Sequence, residues 1–139
     1  MKNYMISLSL LITFFISTES LKAQSFQKID TSPMDLAIAR ADKDGPPLAR
    51  VIYSRPQKKG RQIFGELVPF GQVWRTGANE ATELTLYIPM TIENTKLEAG
   101  SYTLYTIPGI ENWTVIINSD TNVWGAYSYK QEKDVVRII

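Results

Sequence analysis

Between Pro46 and Gly125 a glycine or a proline interrupts this chain every few residues, and several of the runs left between them alternate apolar with polar side chains. A long helix cannot survive that punctuation, because proline removes a backbone donor and glycine weakens helix and strand interiors alike. Leu48 to Ser54 reads as a strand, rich in β-branched and aromatic residues and ended by Pro56. Leu84, Leu86 and Ile88 alternate with Thr85 and Tyr87, the pattern of a half-buried strand. Tyr102 to Ile107 and Trp113 to Asn118 flank the glycine-bearing loop Pro108 to Asn112, a hairpin signal. Trp113 falls in phase with Val115 and Ile117, which assigns it to the core. Trp124 to Tyr129 and Asp134 to Ile139 read as further strands. The expected fold class is therefore mainly β, an antiparallel β-sandwich-like single domain.

Two segments resist that pattern. Ile63 to Trp74 is apolar but broken by Gly65, Pro69 and Gly71, and reads as a short helical turn followed by a buried, irregular connection. Residues 24–47 read as an irregular N-terminal segment in which Met34 to Arg40 forms either one helical turn or an edge strand, so the sheet domain is expected over 48–139. The sequence stops on Val135, Val136, Ile138 and Ile139, inside an apolar strand, and is expected to be truncated there.

The first residues have the layout of a secretory signal peptide: Lys2, an apolar stretch from Met5 to Ile16, and a polar region closed by Ala23. Ser7, Ser9 and Thr13 interrupt the stretch, which falls short of the roughly 20 apolar residues a membrane span needs. Cleavage of residues 1–23 starts the mature chain at Gln24, so no membrane span remains and the expected location is periplasmic or secreted. Lys2, Lys22 and Glu19 leave with the signal, after which acidic and basic residues balance. That neutrality argues against nucleic acid as a partner. The chain has neither histidine nor cysteine. Histidine triads, cysteine nucleophiles and ordinary zinc sites are thereby excluded, and no disulfide can form. No cofactor and no metal is expected.

The densest collection of functional groups is VWRTGANEAT, Val73 to Thr82. Its backbone reading puts Gly77 at positive φ in a tight turn, Asn79 at a helical cap, Trp74 in the core, and Arg75 in an ion pair with Glu80 or Glu83. Its ligand reading has Trp74, Arg75, Thr76, Asn79 and Glu80 lining a shallow pocket, an aromatic plate beside charged and amide groups. Other candidates are weaker. Arg55 in YSRP could bind an anion or shield a strand edge. Asn118, Asp120 and Asn122 alternate like the start of a calcium loop, but Val123 and Tyr129 stand where that loop needs glycine and glutamate, so a polar turn is expected. Trp124, beside Gly125, reads as the surface aromatic.

The segments YSRPQKKGRQIFGELVPFGQVWRTGANEATEL, KLEAGSYTLYTIPGIENWTVIIN, WGAYSY and DVVR resemble the bacterial secreted family known as domain of unknown function 2911. The likeness spans about Val51 to Arg137. It implies a small exported, mostly β domain from Gram-negative bacteria whose members continue past the point where this sequence ends. It implies no activity, and no catalytic residue is carried over.

Three functions remain in competition. The first is a non-catalytic domain binding a small polar ligand or peptide. The second is a hydrolase using Glu80 with Glu83 or Asp120, since paired carboxylates can cleave glycosides without histidine. The third is a structural module that meets another protein through a sheet edge.

Overall fold

The computed structural model describes residue 26 and residues 28–139. The expected signal peptide, residues 1–23, lies outside them. The chain builds β1 (Met34–Arg40), β2 (Pro47–Ser54), β3 (Thr82–Leu86), β4 (Met90–Ile92), β5 (Thr95–Leu97), β6 (Gly100–Ile107), β7 (Thr114–Asn118) and β8 (Asp134–Ile138). Six of these form one antiparallel sheet in the order β1-β2-β3-β6-β7-β8, and β4 and β5 form a separate hairpin. The mainly β, antiparallel class expected from the alternation holds.

Strand alternation gives the large sheet two different faces. On β3, Leu84 and Leu86 point one way and Glu83 and Thr85 the other. Register carries the apolar side across the sheet, with Leu84 opposite Val51 and Tyr102, and Ile117 opposite Leu104 and Val136. The β4–β5 hairpin lies on that face and inserts Leu97, which packs with Leu84, Leu86, Ile117 and Val136. Burying each such side chain contributes roughly 1.5 to 3 kcal/mol.

The opposite face mixes Arg50, Glu83, Thr85 and Thr103 with the fully buried Tyr105 and Ile116. It is covered by the connection between β7 and β8, which doubles back over the sheet. Thr103 Oγ1 donates to the Asp120 carbonyl at 2.6 Å, and the Tyr129 ring meets Tyr105 edge-on at 5.3 Å. Asn118, 1% exposed, anchors the far end of this connection. Its Nδ2 donates to the Lys130 carbonyl at 3.0 Å and to Asp134 Oδ1 at 2.8 Å, while its Oδ1 accepts from the Asp120 N–H at 2.9 Å.

Several local expectations change. Met34–Arg40 is the edge strand, so the sheet reaches into the segment read as irregular. Trp124 to Tyr129 is not a strand: Gly125 has φ of 67° and the segment forms turns, its Gly125 N–H bonding to Asn79 ahead of β3 and its Tyr129 N–H to Ala126 within the segment. Ile63 to Trp74 contains no helical turn. The Val68 N–H donates to the Ile63 carbonyl and the Gly65 N–H to the Val68 carbonyl, closing a tight loop. Nor is this connection buried throughout, since Leu67 is 56% exposed along the groove described below. Trp113 lies just before β7, half exposed, against Phe64 at 4.7 Å and Trp74 at 6.2 Å. It keeps its phase with Val115, but beyond the strand end it packs on other aromatics instead of entering the main core.

Candidate functional site

Where β3 stops pairing with β6, the preceding connection takes its place. Trp74 and Thr106 exchange both backbone hydrogen bonds, at 2.7 and 3.0 Å, and the Gly71 N–H donates to the Pro108 carbonyl. This pins VWRTGANEAT to the end of the sheet as an extra, irregular rung. The segment then turns sharply. Gly77 is not the residue at positive φ; Thr76 at 57° and Asn79 at 61° are. A Cβ on Gly77 would stand 3.1 Å from the Ser54 carbonyl oxygen, so glycine here eases the close approach to β2.

Thr76 is β-branched, and a left-handed conformation costs such a residue about 1 to 2 kcal/mol. Its surroundings hold it there. The Thr82 hydroxyl donates to the Thr76 carbonyl at 2.8 Å, and the Thr76 hydroxyl lies 3.1 Å from that of Thr106. Strain maintained by over-determined contacts often marks functional loops. Asn79 caps no helix. Its carbonyl accepts the Gly125 N–H at 2.8 Å, and the Ala81 N–H donates to the Val123 carbonyl at 3.0 Å. Two segments distant in sequence, VWRTGANEAT and WGAYSY, are thus hydrogen-bonded side by side.

Together they form one wall of an open groove of about 1130 Å³. The rest of the lining comes from the turn Gln57 to Arg61, from the apolar connection between Ile63 and Val73, and from Asp30 to Ser32. Trp74, Arg75 and Asn79 all line it, as do Phe64 and Tyr127. Tyr127 is 86% exposed. Its ring lies close to Gly125, where a Cβ would stand 2.6 Å from it, and the firmer reason for glycine there is its φ of 67°.

The expected ion pair of Arg75 with Glu80 or Glu83 does not form. Glu83 instead meets Arg50 at 3.8 Å on the same face of the sheet. Among the described residues none of the five ion pairs includes Arg75, and its Nε is buried without a hydrogen-bond partner. The groove also takes Lys58, Lys59 and Arg61, which are equally absent from those pairs. Its acid is Asp30. Hydrogen bonds from the Ser32 backbone N–H, and then from the Asn79 side chain, hold the Asp30 carboxyl below the usual carboxylate range.

The remaining candidates fall elsewhere. Thr76 sits behind the groove, its hydroxyl turned to Trp74 and Thr106. Glu80 is exposed and borders, with Glu83, a second cavity of about 180 Å³ near Met34 and Ile52. Asp120 is bound by Lys133. Arg55 pairs with Asp35 at 2.7 Å along the sheet edge. Trp124 is exposed and bridges Glu80 outside the groove, so the surface aromatic that reaches the groove is Tyr127. Sequence reasoning passed over Tyr127 and Lys58 to Arg61. The adjacency of glycine and tyrosine in WGAY and the run of cations in QKKGR were the signals available.

Among the described residues no group of three His, Cys, Asp or Glu side chains is placed to hold a metal, and no helix is long and apolar enough to cross a membrane. A family model with the description "Protein of unknown function (DUF2911)" matches residues 33–139. No curated protein and no solved structure matches the chain.

Proposed function

The chain belongs to DUF2911, a family of proteins of unknown function, and we propose from its groove that it is an exported, non-catalytic binding domain for a small polar ligand or a peptide end. Trp74, Arg75 and Asn79 make the contacts, Thr76 positions Arg75 and Trp74 from behind, and Tyr127 and Phe64 supply apolar surface. The observation that carries this reading is Arg75. Its side chain lines the concave, partly apolar groove and enters no ion pair among the described residues, although its Nε, like that of Arg50 elsewhere, is itself shielded from solvent. A ligand acceptor in the groove would pair with the guanidinium through its terminal nitrogens. Export is supported by the signal-like layout of residues 1–23; sequencing the N-terminus of protein recovered from an extracytoplasmic fraction is expected to read from Gln24.

A thermal-shift screen against sugars, amino acids and cell-wall fragments tests the site. At least one compound class is expected to raise the melting temperature of the wild-type protein and to have a much smaller effect on Arg75→Ala. Identical responses of the two proteins to every hit would refute the assignment.

A further inference from the structure

Resting on the groove being a binding site, we infer that its ligand is a small organic anion: an acidic group held at Arg75 on a compound that also presents a flat, apolar ring face to Trp74 and Tyr127. The charge pattern of the lining carries this. Lys58, Lys59, Arg61 and Arg75 meet in one groove of a chain whose overall charge is only +1. None of them takes part in an ion pair among the described residues, although five such pairs form elsewhere. Arg61 does find acceptors, donating from Nε to the Lys58 carbonyl at 3.0 Å and from Nη2 to the Gln57 carbonyl at 2.8 Å. Those partners are neutral. They fix the turn and leave its positive charge uncompensated.

The acid within reach does not neutralise the lining. Asp30 accepts the Ser32 N–H at 2.6 Å and is committed to Ser32 and Asn79. The groove therefore holds several cations against one carboxylate already engaged in hydrogen bonds. Lys58, Lys59 and Arg61 are exposed, so their field is screened by salt, but a groove lined by one sign of charge still attracts ions of the opposite sign. A guanidinium pairs with carboxylate, phosphate or sulfate through directed, charge-assisted hydrogen bonds.

A bare inorganic anion would leave the aromatic lining unused. Phe64 and Trp74 support each other edge-on at 5.7 Å, and the exposed Tyr127 ring lies beside Gly125. Aromatic surface in the lining of a cationic groove suits a ring, either an aryl group or the apolar face of a sugar.

Matched probes test the inference on the purified protein. Galacturonate and 4-hydroxybenzoate are each compared with a neutral counterpart, galactose and 4-hydroxybenzyl alcohol, by calorimetry and by ¹H–¹⁵N spectra that include the Arg75 Nε–H. At least one acid is expected to bind about tenfold or more tightly than its neutral partner, to shift the Arg75 Nε–H resonance, and to weaken as salt is added. The two acids separate sugar from aryl ligands. Arg75→Gln is expected to remove the preference for acid, and Tyr127→Ala, a change at an exposed side chain, to weaken both members of the preferred pair equally. Neutral and acidic probes binding alike at groove resonances would overturn the inference while leaving the binding domain standing. Failure of all four probes, and of the wider screen, to perturb the groove would overturn both.

Discussion

Asn118→Leu removes an amide from the one place where the β7–β8 connection is tied to the large sheet by three hydrogen bonds of a single side chain. The Lys130 carbonyl and the Asp120 N–H each lose a neutral partner, worth about 1 kcal/mol apiece, and Asp134 loses a charge-assisted one worth about 1.5 to 3 kcal/mol. Leucine returns roughly 1 to 2 kcal/mol by burying apolar surface in nearly the same volume. The net loss is about 3 kcal/mol, a large share of the roughly 5 to 15 kcal/mol that holds a domain folded. Urea unfolding followed by circular dichroism should show the midpoint falling with little change in slope, and the melting temperature should drop by roughly 12 °C or more. Asn122→Ala, at an exposed residue whose amide reaches only the Thr121 hydroxyl at 3.4 Å, is the control and should lie within about 0.5 kcal/mol of wild type. A loss below about 1 kcal/mol at Asn118 would refute the claim that this amide integrates the connection with the sheet.

Two further outcomes follow from the same wall. Gly125→Ala places a Cβ at φ of 67° and 2.6 Å from the Tyr127 ring; it should cost about 1 to 2 kcal/mol for the backbone alone, and adding Tyr127→Ala should relieve the clash but not that backbone cost, as denaturant titration of both variants will show. Burial, and then the hydrogen bond to Asp134, raises the Tyr129 pKa above its usual value near 10, and burial followed by the Asp120 charge raises that of Tyr105. The folded state therefore keeps these protons longer than the unfolded chain, so their contribution is complete below about pH 10 and is lost as pH rises through the folded values. Tyrosinate absorbance during alkaline titration, compared between wild type and the Tyr105→Phe and Tyr129→Phe variants, should show the signal of these two residues appearing only as circular dichroism reports unfolding; their ionisation at about pH 10 with the fold intact would contradict this.

The large sheet was legible because its information is local. Leu84 and Leu86 against Glu83 and Thr85, and the two runs around Pro108 and Gly109, state their period in a handful of residues. The β4–β5 hairpin was not, since its strands are three residues each and its turn uses Glu93 at φ of 51° instead of a glycine. Aromatic alternation in WGAYSY mimics a strand. Only the partners of Gly125 and Asn118, which lie elsewhere in the chain, turn it into a folded-back connection. The role of Gly77 was similarly hidden, because the constraint is the Ser54 carbonyl across the sheet and no local pattern reveals it. At the site, Trp74, Arg75 and Asn79 could be read from one decapeptide, whereas Tyr127 and the cations of QKKGR join them only through topology.

The pair of hydrogen bonds from Gly125 to Asn79 and from Ala81 to Val123 also orders events in time. They close a loop of more than forty residues, and loop-closure entropy must be met before such distant contacts return any stability. β3, β6 and β7 have to be paired, and the connection after β7 folded back, before the two halves of the groove wall can meet. Appearance of the groove during refolding should coincide with completion of the native sheet, which makes recovery of ligand binding a kinetic marker for the last step.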